Sequence, residues 1–434
     1  MKRLMVLALL GVLCLTGCNS AVTDGELEPP HIDDVVESEQ DDTQETTQDE
    51  TIEIDYEEVD MTFDNVKNSV EVADMIAIAT PDKNIMFSPT SLNFALGMVG
   101  EGANGESKDL LSKYLGSDHY GDFVQQYMAG LGAYNVENDE DIHGYQTKLE
   151  IANALWVDDE RTLKKDFQTI VSEKYKATAE TLDFDSPADA CEIINNWANE
   201  KTYGMIPKIV DINSVNEDTE MVLTNSVYFE SAWRKPWNFI DQEDAFTLSN
   251  GTDESAQYMY REGDAYFEND KATAFSAGYM SGLEFIGILP KNTGEFTLES
   301  LDIPSLIASR NYEYDELNCK MPRLTFDTEA NLTSILSAMG MGQLFTDDAT
   351  IFDITDEPLK ISQIIQKTRL ELDENGTKAA AVTAISMNCL TAMRPEKEPV
   401  IKEVYLDRPF AFLIYDSDNE EILFIGKVNT TKGN

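Results

Sequence analysis

Histidine, cysteine and positive charge are all scarce in this chain, and each shortage excludes a class of function. The only histidines are His31, His119 and His143. None of them sits in a nucleophile or metal-binding motif, so the chain shows no histidine-based hydrolase pattern and reads as a non-enzyme. No cofactor and no metal is expected. The cysteines are Cys14, Cys18, Cys191, Cys319 and Cys389. The first two lie in the N-terminal leader, and the remaining odd number has no short repeated spacing. That is neither a disulfide framework nor a zinc site, although a bridge between two of the last three stays open. Lys and Arg number 32 against 81 Asp and Glu, giving a net charge of -49. Phosphate backbones would be repelled, which excludes nucleic acid as a partner. Basic proteins would be attracted, by a steering force that fades at high salt.

A long apolar run is missing as well. Residues 4–15 are apolar but too few to cross a bilayer as a permanent helix. Lys2 and Arg3 precede them, and Thr16, Gly17 and Cys18 follow, which is the layout of a signal peptide. Leu15-Thr16-Gly17-Cys18 resembles the bacterial lipobox. That resemblance implies removal of residues 1–17 and lipidation of Cys18. An ordinary secretory signal cut nearby is the alternative. From Asn19 to Asp60 there is no Lys or Arg, and Asp, Glu, Thr and Gln dominate. Residues 18–60 are therefore expected to be a disordered acidic tether, since like charges repel and little apolar surface can be buried. The expected location is outside the cell, lipid-anchored to the outer face of a bacterial membrane or to the cell surface. A surface adhesin that uses the tether is a further reading. Residues 61–434 contain no second linker and no internal repeat, so they read as one large domain, expected to be a monomer.

Within that domain, residues 63–79 carry apolar positions at near-helical spacing. Ser88 and Pro89 form a helix start, a capping hydroxyl followed by a residue suited to the first turn. Residues 163–175, 188–202 and 331–340 read as helices, with Ile193, Ile194 and Trp197 facing inward in the second. Residues 148–157, 221–230, 283–290, 320–326 and 359–372 read as strands. Residues 409–415 and 421–428 flank the turn-rich Asp416-Ser417-Asp418-Asn419 and predict a C-terminal hairpin. Helices come early and strands late, so the class is α+β with substantial antiparallel sheet.

The most informative stretch runs from Glu371 to Leu390. An acidic pair and Gly376 lead into a run of small residues that ends in larger, cleavable ones. Thr377, Ala379, Ala381 and Thr383 alternate, so one face could slide between two existing strands without a clash. Lys378 falls on the other face, where its charge stays wet. Gly376 offers a pivot, because glycine tolerates backbone angles that other residues resist. On composition alone, an Ala-rich surface helix is the simpler reading.

The rest of the chain favours the two-state segment, because several separate stretches resemble the serpin family in the family's order. Asn84 to Thr90 with the following helix is similar to the family's second helix and its start. Asn195, Trp197, Thr202 and Gly204 to Ile206 resemble its Asn-x-Trp, Thr and Gly-x-Ile segment. Asn225, Tyr228, Phe229 and Trp233 resemble one of its strands, and Met321-Pro322-Arg323-Leu324 another. Met339-Gly340-Met341 with Phe345 matches a further element. Glu374-Asn375-Gly376-Thr377 with Ala379-Ala380-Ala381 resembles the hinge, and Asp407-Arg408-Pro409-Phe410 the signature near the C-terminus. Two positions depart from the pattern. Gln366 stands where the family carries a histidine in the shutter under the central sheet, and Ala411 where it carries a larger apolar residue. A glutamine there can bond Asn225 and the hydroxyls of Ser88 and Ser91, but it cannot titrate.

The resemblance implies the serpin fold, helices packed around a large antiparallel central sheet with smaller sheets and an exposed reactive-centre loop. It also implies a serine-protease inhibitor that traps its target as an acyl-enzyme when the cut loop inserts into the sheet. Glu374, Gly376, Thr377, Ala379, Ala380 and Ala381 would form the hinge. Ser88, Ser91, Asn225, Gln366 and Trp233 would form the shutter and breach. Counting from Glu374 in the family's register places the scissile bond between Leu390 and Thr391, with Met387 and Met393 as other candidates. Arg394 is disfavoured because Pro395 restrains the backbone there. Leu390 suits chymotrypsin-like or elastase-like proteases, and subtilisin-like and cysteine proteases are further candidate targets. The alternative is a non-inhibitory serpin acting as a binding or chaperone-like surface protein.

Overall fold

A computed structural model describes residues 62–131, 147–377 and 399–434. Residues 1–61, 132–146 and 378–398 lie outside the described residues, and with them the expectations for the leader, the tether, Cys18, Ala379, Ala380, Ala381, Leu390 and Thr391. The described chain opens with α1 (Thr62–Ala79), β1 (Ile85–Phe87), α2 (Pro89–Gly102), α3 (Gly105–Leu115) and α4 (Tyr120–Gly130). Helices and strands then alternate through β2 (Lys148–Asp158), α5 (Lys165–Tyr175), β3 (Thr178–Leu182), α6 (Pro187–Lys201) and β4 (Met221–Ala232). Strands follow: β5 (Asn238–Thr247), β6 (Asp253–Glu262), β7 (Ala265–Glu268), β8 (Ala272–Gly278) and β9 (Glu284–Pro290). After α7 (Ile303–Ala308) come β10 (Glu316–Pro322), β11 (Leu324–Asn331), α8 (Thr333–Leu336), β12 (Gln363–Leu372) and the two-residue β13 (Gly376–Thr377). The chain closes with β14 (Ile401–Tyr405), β15 (Phe410–Asp416) and β16 (Glu421–Val428).

Among the described residues the strands form three sheets, ordered β1-β16-β15-β9-β8-β7, β14-β10-β6-β5 and β11-β12-β13-β4-β2-β3. The first is antiparallel throughout. The third is mixed, because β12 runs parallel to β4 and β2 parallel to β3. α2 is the spine between sheets. All of its residues except Glu101 are buried, which suits a helix apolar on every side. Pro89 opens it and the Ser88 hydroxyl accepts the Ser91 N–H, as the sequence indicates. β4 is buried at every position but Glu230, so it sits between layers on both faces.

Several sequence expectations need correction. The strand expected over residues 320–326 is two strands, β10 and β11, which break at Arg323 and belong to different sheets. The helix over residues 331–340 keeps one regular turn and then kinks at Gly340, whose φ is 93°. Ile193 faces solvent at 46% exposure, whereas Ile194 is fully buried and Trp197 partly so. The α6 stripe is thus narrower than expected. The C-terminal hairpin is present, with Phe410 opposite Val428.

Candidate functional site

The 374–377 segment sits at a seam between two parallel strands. β12 and β4 pair directly from Gln363 opposite Val222 to Lys367 opposite Ser226. Further along the two strands part, and β13 lies between them. Thr377 pairs antiparallel with Leu372 of β12 and with Ser231 of β4, and Gly376 pairs with Ala232. A parallel pair can admit one antiparallel strand in this way without reversing either neighbour.

A tight turn sets the segment up. The Asp373 carboxylate accepts the N–H groups of Asn375 (2.8 Å) and Gly376 (3.2 Å), and the Asp373 N–H donates to the Gly376 carbonyl. Gly376 is not among the glycines with positive φ, so it serves here as extended strand and not as a left-handed pivot. β4 and the chain after it hold the turn from the other side. Trp233 N–H donates to the Asn375 carbonyl, Trp237 N–H to the Glu374 carbonyl and Trp233 Nε1 to the Asp373 carbonyl (2.8 Å). Glu374 forms a forked ion pair with Arg323, at 2.8 Å from Nε and 2.5 Å from Nη2, and the guanidinium stacks 3.7 Å from the Phe239 ring centre. Arg323 reaches this position because the chain breaks between β10 and β11 there.

Thr377 is buried, and its hydroxyl lies 2.7 Å from the Tyr279 hydroxyl. Tyr279 stacks on Trp233 at 4.2 Å and meets Phe229 edge-on at 5.0 Å. Burial pushes the Tyr279 phenol far above its ordinary pKa, so it stays neutral and shares a hydrogen bond with Thr377. The position is small, polar and dry, and a charge placed there would lose its hydration without a partner. Asn375 Nδ2 is buried without a hydrogen-bond partner among the described residues.

At the closed part of the seam a second group of expected residues meets. Gln366 Nε2 donates to Asn225 Oδ1 (2.5 Å) and to the Ser88 carbonyl (2.9 Å), and Ser88 N–H donates back to Gln366 Oε1 (2.8 Å). Asn225 Nδ2 donates to the Ser91 carbonyl (2.6 Å) and to Asn153 Oδ1 (2.5 Å). The Ser91 hydroxyl reaches Asn153 Oδ1 at 3.5 Å. Gln366 therefore bonds the backbone of Ser88, not the hydroxyls of Ser88 and Ser91 as expected. The reason is local, since Ser88 turns its hydroxyl into its own helix cap. Ser88, Ser91, Asn225 and Gln366 come together, while Trp233 belongs to the open part of the seam with Glu374, Gly376 and Thr377.

Sequence reasoning missed Asn153 and Tyr279. Asn153 left a signal, a buried amide inside the apolar strand β2. Tyr279 left none, because it lies in a loop after β8 and is brought in by its backbone bridge to Trp233. Cys191 and Cys319 are both buried free thiols. A cleft of about 1130 Å³ between α1 and the end of β16 contains none of these residues.

The geometry agrees with what this chain resembles. A family model described as "Serpin (serine protease inhibitor)" matches residues 64–431. An uncharacterized serpin-like protein of Thermococcus kodakarensis is 32% identical over 364 residues, which is 82% of each chain. A leukocyte elastase inhibitor of Xenopus laevis is 31% identical, over 80% of this chain and 93% of its own. Among solved structures, the native state of the thermophilic serpin tengpin matches with a TM-score of 0.72 at 28% identity, over 86% of this chain and 95% of its own. Serpin48 of the insect Tenebrio molitor matches with a TM-score of 0.72 at 25% identity, over 87% of this chain and all of its own. With a family model spanning nearly all of the described residues, the seam and the segment at its open end belong to a member of the serpin family.

Proposed function

We propose that the chain is a serine-protease inhibitor that acts by loop cleavage, acyl-enzyme trapping and strand insertion. The observation that carries this reading is the place of β13, the first inserted pair of a strand whose continuation would run down the β4–β12 seam. The target's nucleophile attacks the Leu390 carbonyl, and the amine of Thr391 leaves. The new ester links the protease to the chain at Leu390. The freed strand then follows Thr377 into the seam and gains hydrogen bonds on both edges, a form of strand addition that releases stored strain. The native state is on this account held by a kinetic barrier. Ala379 and Ala381 continue the small inward face that Thr377 begins. Leu390 directs the inhibitor to chymotrypsin-like or elastase-like enzymes, with subtilisin-like and cysteine proteases as further candidates. Lipidation at Cys18 would hold the protein at the outer face of the membrane, with residues 18–60 as spacer.

Incubation of the chain with chymotrypsin-, elastase-, trypsin- and subtilisin-like proteases tests this, read by denaturing gel and mass spectrometry. A denaturant-resistant adduct with release of a peptide beginning at Thr391 is expected. A different released peptide would move the scissile bond and keep the mechanism. Cleavage without adduct across the panel would replace the reading with that of a non-inhibitory serpin.

A further inference from the structure

Helix α6 lies across the outer face of the seam. A second apolar core joins Ile194 and Ala198 of α6, and Ile206, Ile209, Val210 and Val215 beyond it, to the sheet. The sheet side of this core comes from both banks. Ala154 and Trp156 of β2 and Val222 of β4 lie on one bank, and Ile365 of β12 lies on the other. Trp197 meets Trp156 edge-on at 5.9 Å. One inserted strand would move β12 from one strand spacing to two, about 4.8 Å further from β4. The layer formed by α6 and the chain after it cannot then cover both Val222 and Ile365 as one core, so the helix must stay with one bank.

Tyr203 supplies the asymmetry. It follows the C-terminal end of α6 in a left-handed conformation, φ 51°, which an aromatic residue rarely adopts. Gly204 after it is also left-handed, φ 86°. The turn swings the Tyr203 ring onto one bank. Its hydroxyl donates to Glu150 Oε2 of β2 at 2.8 Å, and Lys148 Nζ of β2 sits 3.5 Å from the ring centre. The ring lies 4.9 Å from that of Tyr228 on β4. Lys201, in the last turn of α6, adds an ion pair to Glu150 at 3.7 Å. Backbone strain of this kind persists where surrounding contacts over-determine it, and here the side-chain contacts given above belong to β2 and β4.

The geometry points to Tyr203 as a positioning residue that fastens α6 to the β2–β4 bank, so that opening the seam costs the layer formed by α6 and the chain after it only its share of the core with Ile365. This rests on the insertion reading above. Without the clamp α6 divides its contacts between the banks and resists their separation, insertion slows, and more of the chain is released as cut substrate.

The test is the number of inhibitor molecules consumed per protease trapped, measured for wild type, Tyr203→Gly and Tyr203→Phe with native melting temperature alongside. Glycine fits the left-handed turn without strain and removes the ring, so it separates the clamp from the fold. The expected result is a severalfold rise in consumption for Tyr203→Gly and about a twofold rise for Tyr203→Phe, which keeps the ring but loses Glu150. Unchanged or lower consumption for Tyr203→Gly, with wild type trapping normally, overturns the clamp and leaves the inhibitor reading intact. Failure of wild type to trap any protease in the panel overturns both.

Discussion

The two ends of one seam are held by different sets of contacts. At the closed end β4 and β12 bond each other directly, and neutral amides bridge them to the start of α2 through Gln366, Asn225, Asn153 and Ser88. At the open end the strands have already parted around β13, and the site is held by a Trp233–Tyr279 stack and the Arg323–Glu374 fork. The closed end depends on directional bonds that must all break before anything enters. The open end has directional bonds too, from Trp233, Trp237 and Tyr279, but they already hold the entered pair Gly376–Thr377 and need not break for more strand to follow. Insertion on this account has no initiation step at the open end, and its barrier lies at the closed one.

Thr377→Arg should give the largest effect. A guanidinium in the dry site beside Tyr279 would be expelled, and the strand would lose its first inserted pair. The variant should be cut as substrate with no denaturant-resistant adduct on gels, and stoichiometric trapping would sink the insertion mechanism. Next is Trp233→Ala, which removes a side chain with 1% exposure and the stacking surface under Tyr279. A loss of about 3–5 kcal/mol in denaturant unfolding is expected. Gln366→Leu leaves the Ser88 N–H and the Asn225 side chain short of a partner, for about 2 kcal/mol. If the barrier lies at the closed end, Gln366→Leu should also speed spontaneous conversion to an inactive form, whereas Trp233→Ala should change that rate less. Gln366→His should make melting temperature vary between pH 5 and 8 through the introduced imidazole, because no histidine among the described residues adjoins this cluster.

The smallest effect lies away from the seam and serves as a control. Burial pushes the Glu421 carboxyl up from 4.5 to about 8, with Asp416 adding to the rise and the Thr90 hydroxyl opposing it. Its folded pKa is above its unfolded one, so this contribution is full below about 4.5 and is lost as pH rises through about 8. Glu421→Gln should melt like wild type in acid and about one degree higher near pH 9. The side chain keeps partial exposure, which limits the gain to roughly 1 kcal/mol or less.

Much of this was legible in the sequence, and the parts that were not share a cause. The Ser88-Pro89 helix start, the apolar runs of β2 and β4 and the alternating C-terminal hairpin are local patterns, and they appear where periodicity and capping place them. The order of motifs carried the family. The strands β5 to β8 went unread. β5 is exposed along most of its length and carries Asp241, Glu243 and Asp244 at its middle, so it lacks the alternation that marks a half-buried strand. Arg323 and Tyr279 drew no attention as partners of Glu374 and Thr377 because each lies about fifty or more residues away. Such pairings depend on how three sheets meet, which no local window contains.

The parallel run of β4 and β12 has a mechanical consequence. β12 is 10 residues long, about 33 Å at 3.3 Å per residue. A strand that enters beside Leu372 and proceeds toward Gln363 carries its free end from one pole of the sheet to the other. Each added residue forms bonds on both sides and closes the way back. On the proposed mechanism the seam would work as a one-way rail whose travel is comparable to the width of a small protein, and any body fastened to the far end of that strand would be hauled the whole distance or arrest it midway.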